Sequence, residues 1–323
     1  MIKPKNLKAA ILVKTGHDVK IEDGIELPEL KTGQVLVKIH YAGVCHSQLM
    51  EARGARGEDA YLPHFLGHEG TATVVEIGPD VTKVKSGDKV IPGWIKASGI
   101  DGGPTQYRGP NGEIINSGAV TTFSNYAVIS ENRLVLKPPN TPADLAVLYG
   151  CALPTGAGLV FNELKPKEQS SIAIVGLGGI GLSALMAATQ FAPTQLIAID
   201  IEDQKLALSR ELGATHCIKA DASDLIEQVY NLTGGQGVDY AIEAAGLVKT
   251  IELGFDLIRR NGGELIFASH PKAGDRISID PFELICGKNI RGTWGGNSSP
   301  DKDIPLLDQM YAQGKLNLEP LLS

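Results

Sequence analysis

"SIAIVGLGGIG", residues 171–181, decides how the second half of this chain folds. The run Ser171–Val175 predicts a buried strand, and the glycines after it predict a sharp turn into a helix. In such a G-x-G-x-x-G turn, Gly176 permits the tight bend and Gly178 lets backbone approach a pyrophosphate. Gly179 lies inside the turn, and Gly181 lets the helix pack on the strand. The helix N-terminus offers free N–H groups and a positive dipole end to phosphates. Asp200 ends the next strand-like run, 24 residues after Gly176. A carboxylate there can accept both ribose hydroxyls of NAD and would repel the 2′-phosphate of NADP. Glycine-rich turns also arise for structural reasons alone, so a βαβ turn with a helix-capping Asp is the other reading. Lys205 lies near the adenosine side, where an ordinary surface lysine is the plainer interpretation.

The surrounding sequence keeps the same grammar. From about residue 158, strand-like runs ("QLIAID", "THCIKA", "VDYAIEAA", "GELIFAS", "NIRGTWGG") alternate with helical stretches such as "LSALMAATQFA", "DQKLALSRELG" and "VKTIELGFDLIRR". That alternation predicts a doubly wound α/β domain, a parallel sheet covered on both faces. Residues 1–150 read differently. Short runs such as "GQVLVKIHYAGV" and "GTATVVEIG", bounded by Gly and Pro, predict a mostly β domain. Residues 95–120 are Gly-rich and aperiodic, and read as a long surface loop.

Bulk properties narrow the function. A chain of 323 residues is long enough for two cores. A net charge of −7 and a pI near 5.6 argue against nucleic-acid or anionic-membrane partners. The apolar run Ala9–Val13 is too short for a signal peptide, and no uncharged span is long enough to cross a bilayer. Four scattered cysteines, Cys45, Cys151, Cys217 and Cys286, do not suggest a disulfide framework. A soluble cytoplasmic protein is expected.

The remaining signal is a possible metal constellation. A catalytic zinc typically takes three protein ligands and leaves one position open. Cys45 in "GVCHSQ", His68 in "GHEG" and Cys151 in "LYGCALPTGAG" are candidates. Their separations of 23 and 83 residues give no local zinc-finger spacing. Composition alone favours two small buried hydrophobes and a core histidine.

Taken in order, "GVCHSQ", "GHEG", "GDKVIP", "GCALPTGAG" and "GLGGIG" resemble the zinc-dependent alcohol dehydrogenases of the medium-chain dehydrogenase/reductase superfamily. The resemblance runs from near residue 7 to the end. It implies a GroES-like catalytic domain over residues 1–155 and a Rossmann NAD-binding domain over 156–323. It also implies a catalytic zinc on Cys45, His68 and Cys151, with NAD as cofactor and a primary or secondary alcohol, or its aldehyde or ketone, as substrate. By the same resemblance, Ser47 passes the substrate proton outward and His46 contacts the cofactor pyrophosphate. Glu69 lies near zinc, Thr155 contacts nicotinamide, and Trp94 walls the substrate pocket. His270, after the strand "GELIFAS", sits at the sheet edge where open α/β folds bind ligands. Without the resemblance these would read as a turn serine, a solvated histidine, a paired carboxylate, a helix cap and a core tryptophan.

The sequence departs from the family in three places. Residues 95–120 lack the four cysteines of a structural zinc lobe, so that site is expected to be absent. Gln48 stands where relatives often have an Asp that orients the ligand histidine, and Met50 replaces a relay histidine. The chain stops at "LNLEPLLS", where relatives continue into a closing helix and strand; either the sequence is a fragment or that segment is dispensable here, and the first domain is expected to lose packing against it. Homodimers or tetramers are implied by resemblance, through the last strand of the sheet. The competing readings are a polyol dehydrogenase, a zinc-free quinone or enone reductase, and a catalytically impaired NAD-binding protein of the same fold.

Overall fold

The computed structural model describes residue 4 and residues 6–322; Met1, Ile2, Lys3, Lys5 and Ser323, which fall in the expected domain ranges, lie outside the described residues. Two units divide the chain: Met1–Cys151 with Ser299–Ala312, and Ala152–Ser298 with Gln313–Ser323.

In the first unit, β1 (Asn6–Leu12), β2 (Lys20–Glu26) and β3 (Gln34–Ala42) lead into a short helix, α1 (His46–Ala52). There follow β4 (His64–Phe65), β5 (Gly70–Ile77), β6 (Lys89–Pro92), β7 (Thr105–Arg108), β8 (Ile114–Ser117), β9 (Tyr126–Ser130) and β10 (Leu134–Leu136). Strands β1-β2-β7-β8-β4 close into a barrel, and β10-β6-β5-β3-β9 form a five-stranded sheet. Alternating apolar residues fill the barrel: Leu7, Ile11 and Ile25 pack with Phe65, Tyr107 and Ile115. Phe65 and Tyr107 stack with centroids 4.5 Å apart.

The 95–120 stretch is not one loop. It contributes β7 and β8, an antiparallel pair without which the barrel would not close. The run "TQYR" alternates buried and exposed, and buried Tyr107 accepts a hydrogen bond from the Val128 N–H at 2.8 Å. Flanking glycines and a four-residue length hid that period.

The second unit starts with α2 (Ala152–Gly158). It continues through β11 (Ser171–Val175), α3 (Gly179–Ala188), β12 (Gln195–Asp200), α4 (Asp203–Glu211) and β13 (His216–Lys219). Next come α5 (Leu225–Leu232), β14 (Tyr240–Glu243), α6 (Val248–Leu257), β15 (Glu264–Phe267), α7 (Pro281–Ile285) and β16 (Asn289–Gly292). The sheet order is β13-β12-β11-β14-β15-β16, all pairs parallel. Order reverses between β11 and β14, which places the crevice for a ligand at the end of β11, where the glycine turn lies. Helices α5 and α7 were not anticipated from the sequence.

The expected boundary at 155/156 falls inside α2, and the units part at 151/152. Helix α8 (Pro300–Ala312) belongs to the first unit. Its Asp308, 1% exposed, accepts from Asn140 Nδ2 at 2.7 Å, the Thr141 N–H at 2.9 Å and Thr141 Oγ1 at 2.6 Å. Asp301 pairs with Lys83 at 2.7 Å. Among the described residues no helix is long and apolar enough to cross a membrane.

Candidate active site

Cys45 is the extended residue that precedes α1, so Ser47 and His46 enter the first turn beside it. His68 lies between β4 and β5. The turn before it depends on Gly67, whose φ is +95° and whose missing Cβ would stand 2.4 Å from Thr122 Oγ1. Cys151 follows the 3-10 stretch Leu145–Gly150. Between these segments Glu69 is buried, 5% exposed, against Gly43 and Gly150, where an added Cβ would approach it to 2.7 Å in either case.

These three distant segments bring four donor atoms together. One ligand atom each from Cys45, His68, Glu69 and Cys151 lies within 4.8 Å of all the others. The Cys45 and Cys151 sulfurs are 3.9 Å apart and both thiols are free. Two thiolates on a tetrahedral zinc, each about 2.3 Å from it, stand about 3.8 Å apart. His68 Nε2 is buried and has no hydrogen-bond partner, as a nitrogen reserved for a ligand would be. On both counts the residues fit a zinc ion.

The electrostatics agree. The neighbouring Cys151 thiol holds the Cys45 thiol down to about 3, with help from His68 and Ser47 against the penalty of burial. Cys151 is pushed up, first by retaining the proton it shares with Cys45 and then by burial. Burial, and then the Cys45 thiolate, lift Glu69 to about 8. The pocket thus concentrates acidic groups that a divalent cation would ionise together.

The other expected residues divide between the units. In the first, His46 is exposed, Ser47 Oγ is buried without a partner, and Trp94 stands by Cys151, where its indole favours the thiolate. Gln48 does not take the orienting role considered for it, because its Oε1 makes no hydrogen bond. In the second, Gly176 adopts φ +91°, and a Cβ on Gly181 would lie 1.8 Å from the Gly176 carbonyl oxygen. Nothing lies within 4 Å of a Cβ built on Gly178, so that backbone is open to a pyrophosphate. Gly179 opens α3. Asp200 is 7% exposed; one carboxylate oxygen accepts from the Leu177 N–H at 2.7 Å and the other from the Glu202 N–H at 3.0 Å. Asp200 thereby braces the glycine turn, and each oxygen keeps a lone pair for a ribose hydroxyl. Thr155 Oγ1 is buried and unpartnered. Lys205 pairs with Glu202 at 2.8 Å on the surface, and exposed His270 bonds the Pro271 carbonyl through Nδ1 at 3.0 Å. These features fit a dinucleotide. Sequence reasoning missed Gly43 and Gly150; their only sequence signal is a glycine two positions before Cys45 and one directly before Cys151.

Comparison with known proteins gives the same reading. Residues 31–139 match the family described as alcohol dehydrogenase GroES-like domain, and residues 179–312 the family described as zinc-binding dehydrogenase. The chain is 30% identical to the S-(hydroxymethyl)glutathione dehydrogenase of Paracoccus denitrificans, over 98% of this chain and 92% of that protein. It is 32% identical to the protein of the same name from Synechocystis, with the same shares covered. Among solved structures, benzyl alcohol dehydrogenase from Acinetobacter calcoaceticus superposes with a TM-score of 0.87 at 30% identity, covering 98% of this chain and 92% of that one. A zinc-binding alcohol dehydrogenase domain protein from Burkholderia ambifaria gives a TM-score of 0.88 at 32% identity, covering 98% and 91%. With a GroES-like first unit, a Rossmann-type second unit and a cysteine–histidine donor set, this chain belongs to the zinc-dependent alcohol dehydrogenases of the medium-chain dehydrogenase/reductase superfamily, and it is an alcohol oxidoreductase.

Proposed function

We propose that the chain interconverts primary or secondary alcohols with their aldehydes or ketones using NAD, and that Cys45, His68 and Cys151 hold one catalytic zinc. The observation that carries this is the approach of two cysteine sulfurs to 3.9 Å beside an imidazole nitrogen with no other partner. When bound, zinc supplies Lewis acidity to the alcohol or carbonyl oxygen and the nicotinamide exchanges the hydride.

The chain's own side chains do the rest. Two thiolates and a neutral imidazole balance the charge of the ion and leave a coordination position open. Ser47 Oγ takes the substrate hydroxyl proton outward; its buried, unpartnered state supports that role. Glu69 supplies a nearby carboxylate, Trp94 walls the substrate pocket on the first unit, and His270 stands at the ligand-binding sheet edge of the second. Gly176, Gly178, Gly179, Gly181 and the α3 N–H groups hold the pyrophosphate, with His46 adding a basic side chain. Asp200 selects NAD over NADP at the ribose, Lys205 flanks the adenosine, and Thr155 contacts nicotinamide.

The four-cysteine structural zinc is outside this reading, since residues 95–120 contain no cysteine. A homodimer or homotetramer is part of the proposal, supported by Ile285 and Trp294, each 80% exposed, flanking edge strand β16. A cytoplasmic location is supported by four unpaired thiols. Zinc analysis coupled to NAD-dependent oxidation of an alcohol panel tests the assignment. The panel includes benzyl alcohol, S-(hydroxymethyl)glutathione and a polyol, and the expected result is turnover of at least one non-polyol alcohol by zinc-loaded protein. Binding of NADH with no turnover of any alcohol overturns it.

A further inference from the structure

A second set of metal-ligating side chains lies in the first unit, and neither the zinc donors nor the cofactor residues belong to it. Glu51, Asp59 and His64 each bring a ligand atom within 4.8 Å of the other two. His64, 6% exposed, sets the geometry. Its Nδ1 is 2.8 Å from the Phe65 carbonyl oxygen, which only accepts, so Nδ1 carries the ring proton. Its Nε2 then faces Asp59 Oδ2 at 2.8 Å and Glu51 Oε1 at 3.8 Å, and both of these are acceptors too. Three lone-pair atoms converge, and something positive has to lie among them: a second ring proton or a cation.

A cation accounts for both contacts at once. Donors about 2.1 Å from one metal ion lie about 3.0 Å apart at a right angle and about 4.2 Å apart across it. The 3.8 Å separation falls inside that range and the 2.8 Å one just below it, at hydrogen-bond length; a second ring proton would engage Asp59 alone and leave Glu51 facing the ring without a donor. The other carboxylate oxygens are occupied: Asp59 Oδ1 accepts the Tyr61 N–H at 2.9 Å, and Glu51 Oε2 faces Arg56 Nη1 at 3.8 Å. The imidazole proton on a backbone carbonyl is the usual way a ligand histidine is oriented.

Gln48 is an independent indication. It is 6% exposed, its Oε1 has no hydrogen-bond partner, and it sits one helical turn before Glu51 on the same face of α1. Gln48, Glu51, Asp59 and His64 all line one cavity of about 760 Å³, roomy enough for water to complete a coordination shell. A proton on His64 would leave the Gln48 oxygen unsatisfied, whereas a cation bound within reach of it in this cavity would satisfy it.

We propose that Glu51, Asp59 and His64, with Gln48 Oε1 as a fourth donor, form a second divalent-cation site on this chain. Its oxygen-rich, thiol-free donor set suits Mn²⁺ and similar ions, whereas the cysteine pair selects zinc. Such an ion would tie α1, which follows Cys45, to β4, which leads to His68, and so brace two of the zinc-bearing segments.

Zinc-loaded protein titrated with MnCl₂, with free Mn²⁺ followed by electron paramagnetic resonance, tests the site. The expected result is one Mn²⁺ bound per chain and a melting temperature raised by Mn²⁺. Asp59→Asn and Glu51→Gln should each weaken uptake by about tenfold or more while leaving zinc content unchanged. If Asp59→Asn does not fold, Glu51→Gln and the wild-type titration still decide. No uptake at millimolar Mn²⁺, uptake unchanged in the variants, or His64 bearing two ring protons at pH 8 with Mn²⁺ present would overturn the site.

Discussion

The cysteine-free 95–103 segment should depend on one buried carboxylate. Glu131, 0% exposed in the turn after β9, accepts from the N–H groups of Thr82, Lys83 and Ile100, each at 2.7 Å. It clamps the 80–83 turn and the 95–103 segment together; nearby, Gly102 N–H donates to Ser130 Oγ at 2.8 Å. In Glu131→Gln one oxygen becomes an NH₂ group that must face an N–H, losing one charge-assisted bond and orphaning a buried donor. The remaining bonds lose their charge assistance. The expected cost is about 2–4 kcal/mol at pH 7. Amide hydrogen exchange at Ile100 reads this locally, as protection reduced about 30- to 700-fold. The pH dependence has a definite sign. Burial pushes the Glu131 carboxyl up, but three backbone donors outweigh it and hold it below the usual range. A group depressed in the folded state stabilises above its unfolded value of 4.5 and loses that contribution as pH falls through the folded one. The wild type and the variant should therefore converge in acid. Equal Ile100 protection in both at pH 7 would refute the clamp.

Cys45→Ala should eliminate zinc binding and turnover yet leave NADH affinity largely intact; retained turnover would remove Cys45 from the metal. Asp200→Gly should relax the preference for NAD over NADP and, because the Leu177 N–H loses its acceptor, weaken binding of both. An unchanged NAD/NADP ratio would take Asp200 out of the ribose site. Gly67→Ala places a methyl 2.4 Å from Thr122 Oγ1 in left-handed backbone, so the protein should lose about 2 kcal/mol or more and zinc affinity with it. Full zinc content with unchanged denaturant midpoint would show that the His68 turn tolerates a side chain.

Much of the second unit was legible because its signals are local. Apolar runs such as "SIAIV" and "QLIAID" are buried on both faces and show as continuous strands, Gly176 is required by its own left-handed backbone, and Gly181 by the Gly176 carbonyl five residues before it. Helices α5 and α7 escaped notice because α7 spans only Pro281–Ile285 and α5 is bounded by polar turns. In the first unit, β7 and β8 were illegible for a related reason: four-residue strands in a glycine-rich stretch gain their order from barrel partners across the fold. The donor roles of Glu51, Asp59 and His64 left no motif, since neither carboxylate is marked out by its neighbours.

By itself the sequence determined the strand–turn–helix unit with its open glycine backbone and the carboxylate at the end of the following strand. Chain stiffness and steric allowance operate over a few residues, and there a string of letters is enough. Only the tertiary structure decided that Cys45, His68 and Cys151, separated by 23 and 83 residues, share one pocket. It also decided that α8 packs with the first unit through buried Asp308. The physical reason is that long-range proximity comes from strand pairing and core burial summed over many residues, and no spacing along the chain encodes it.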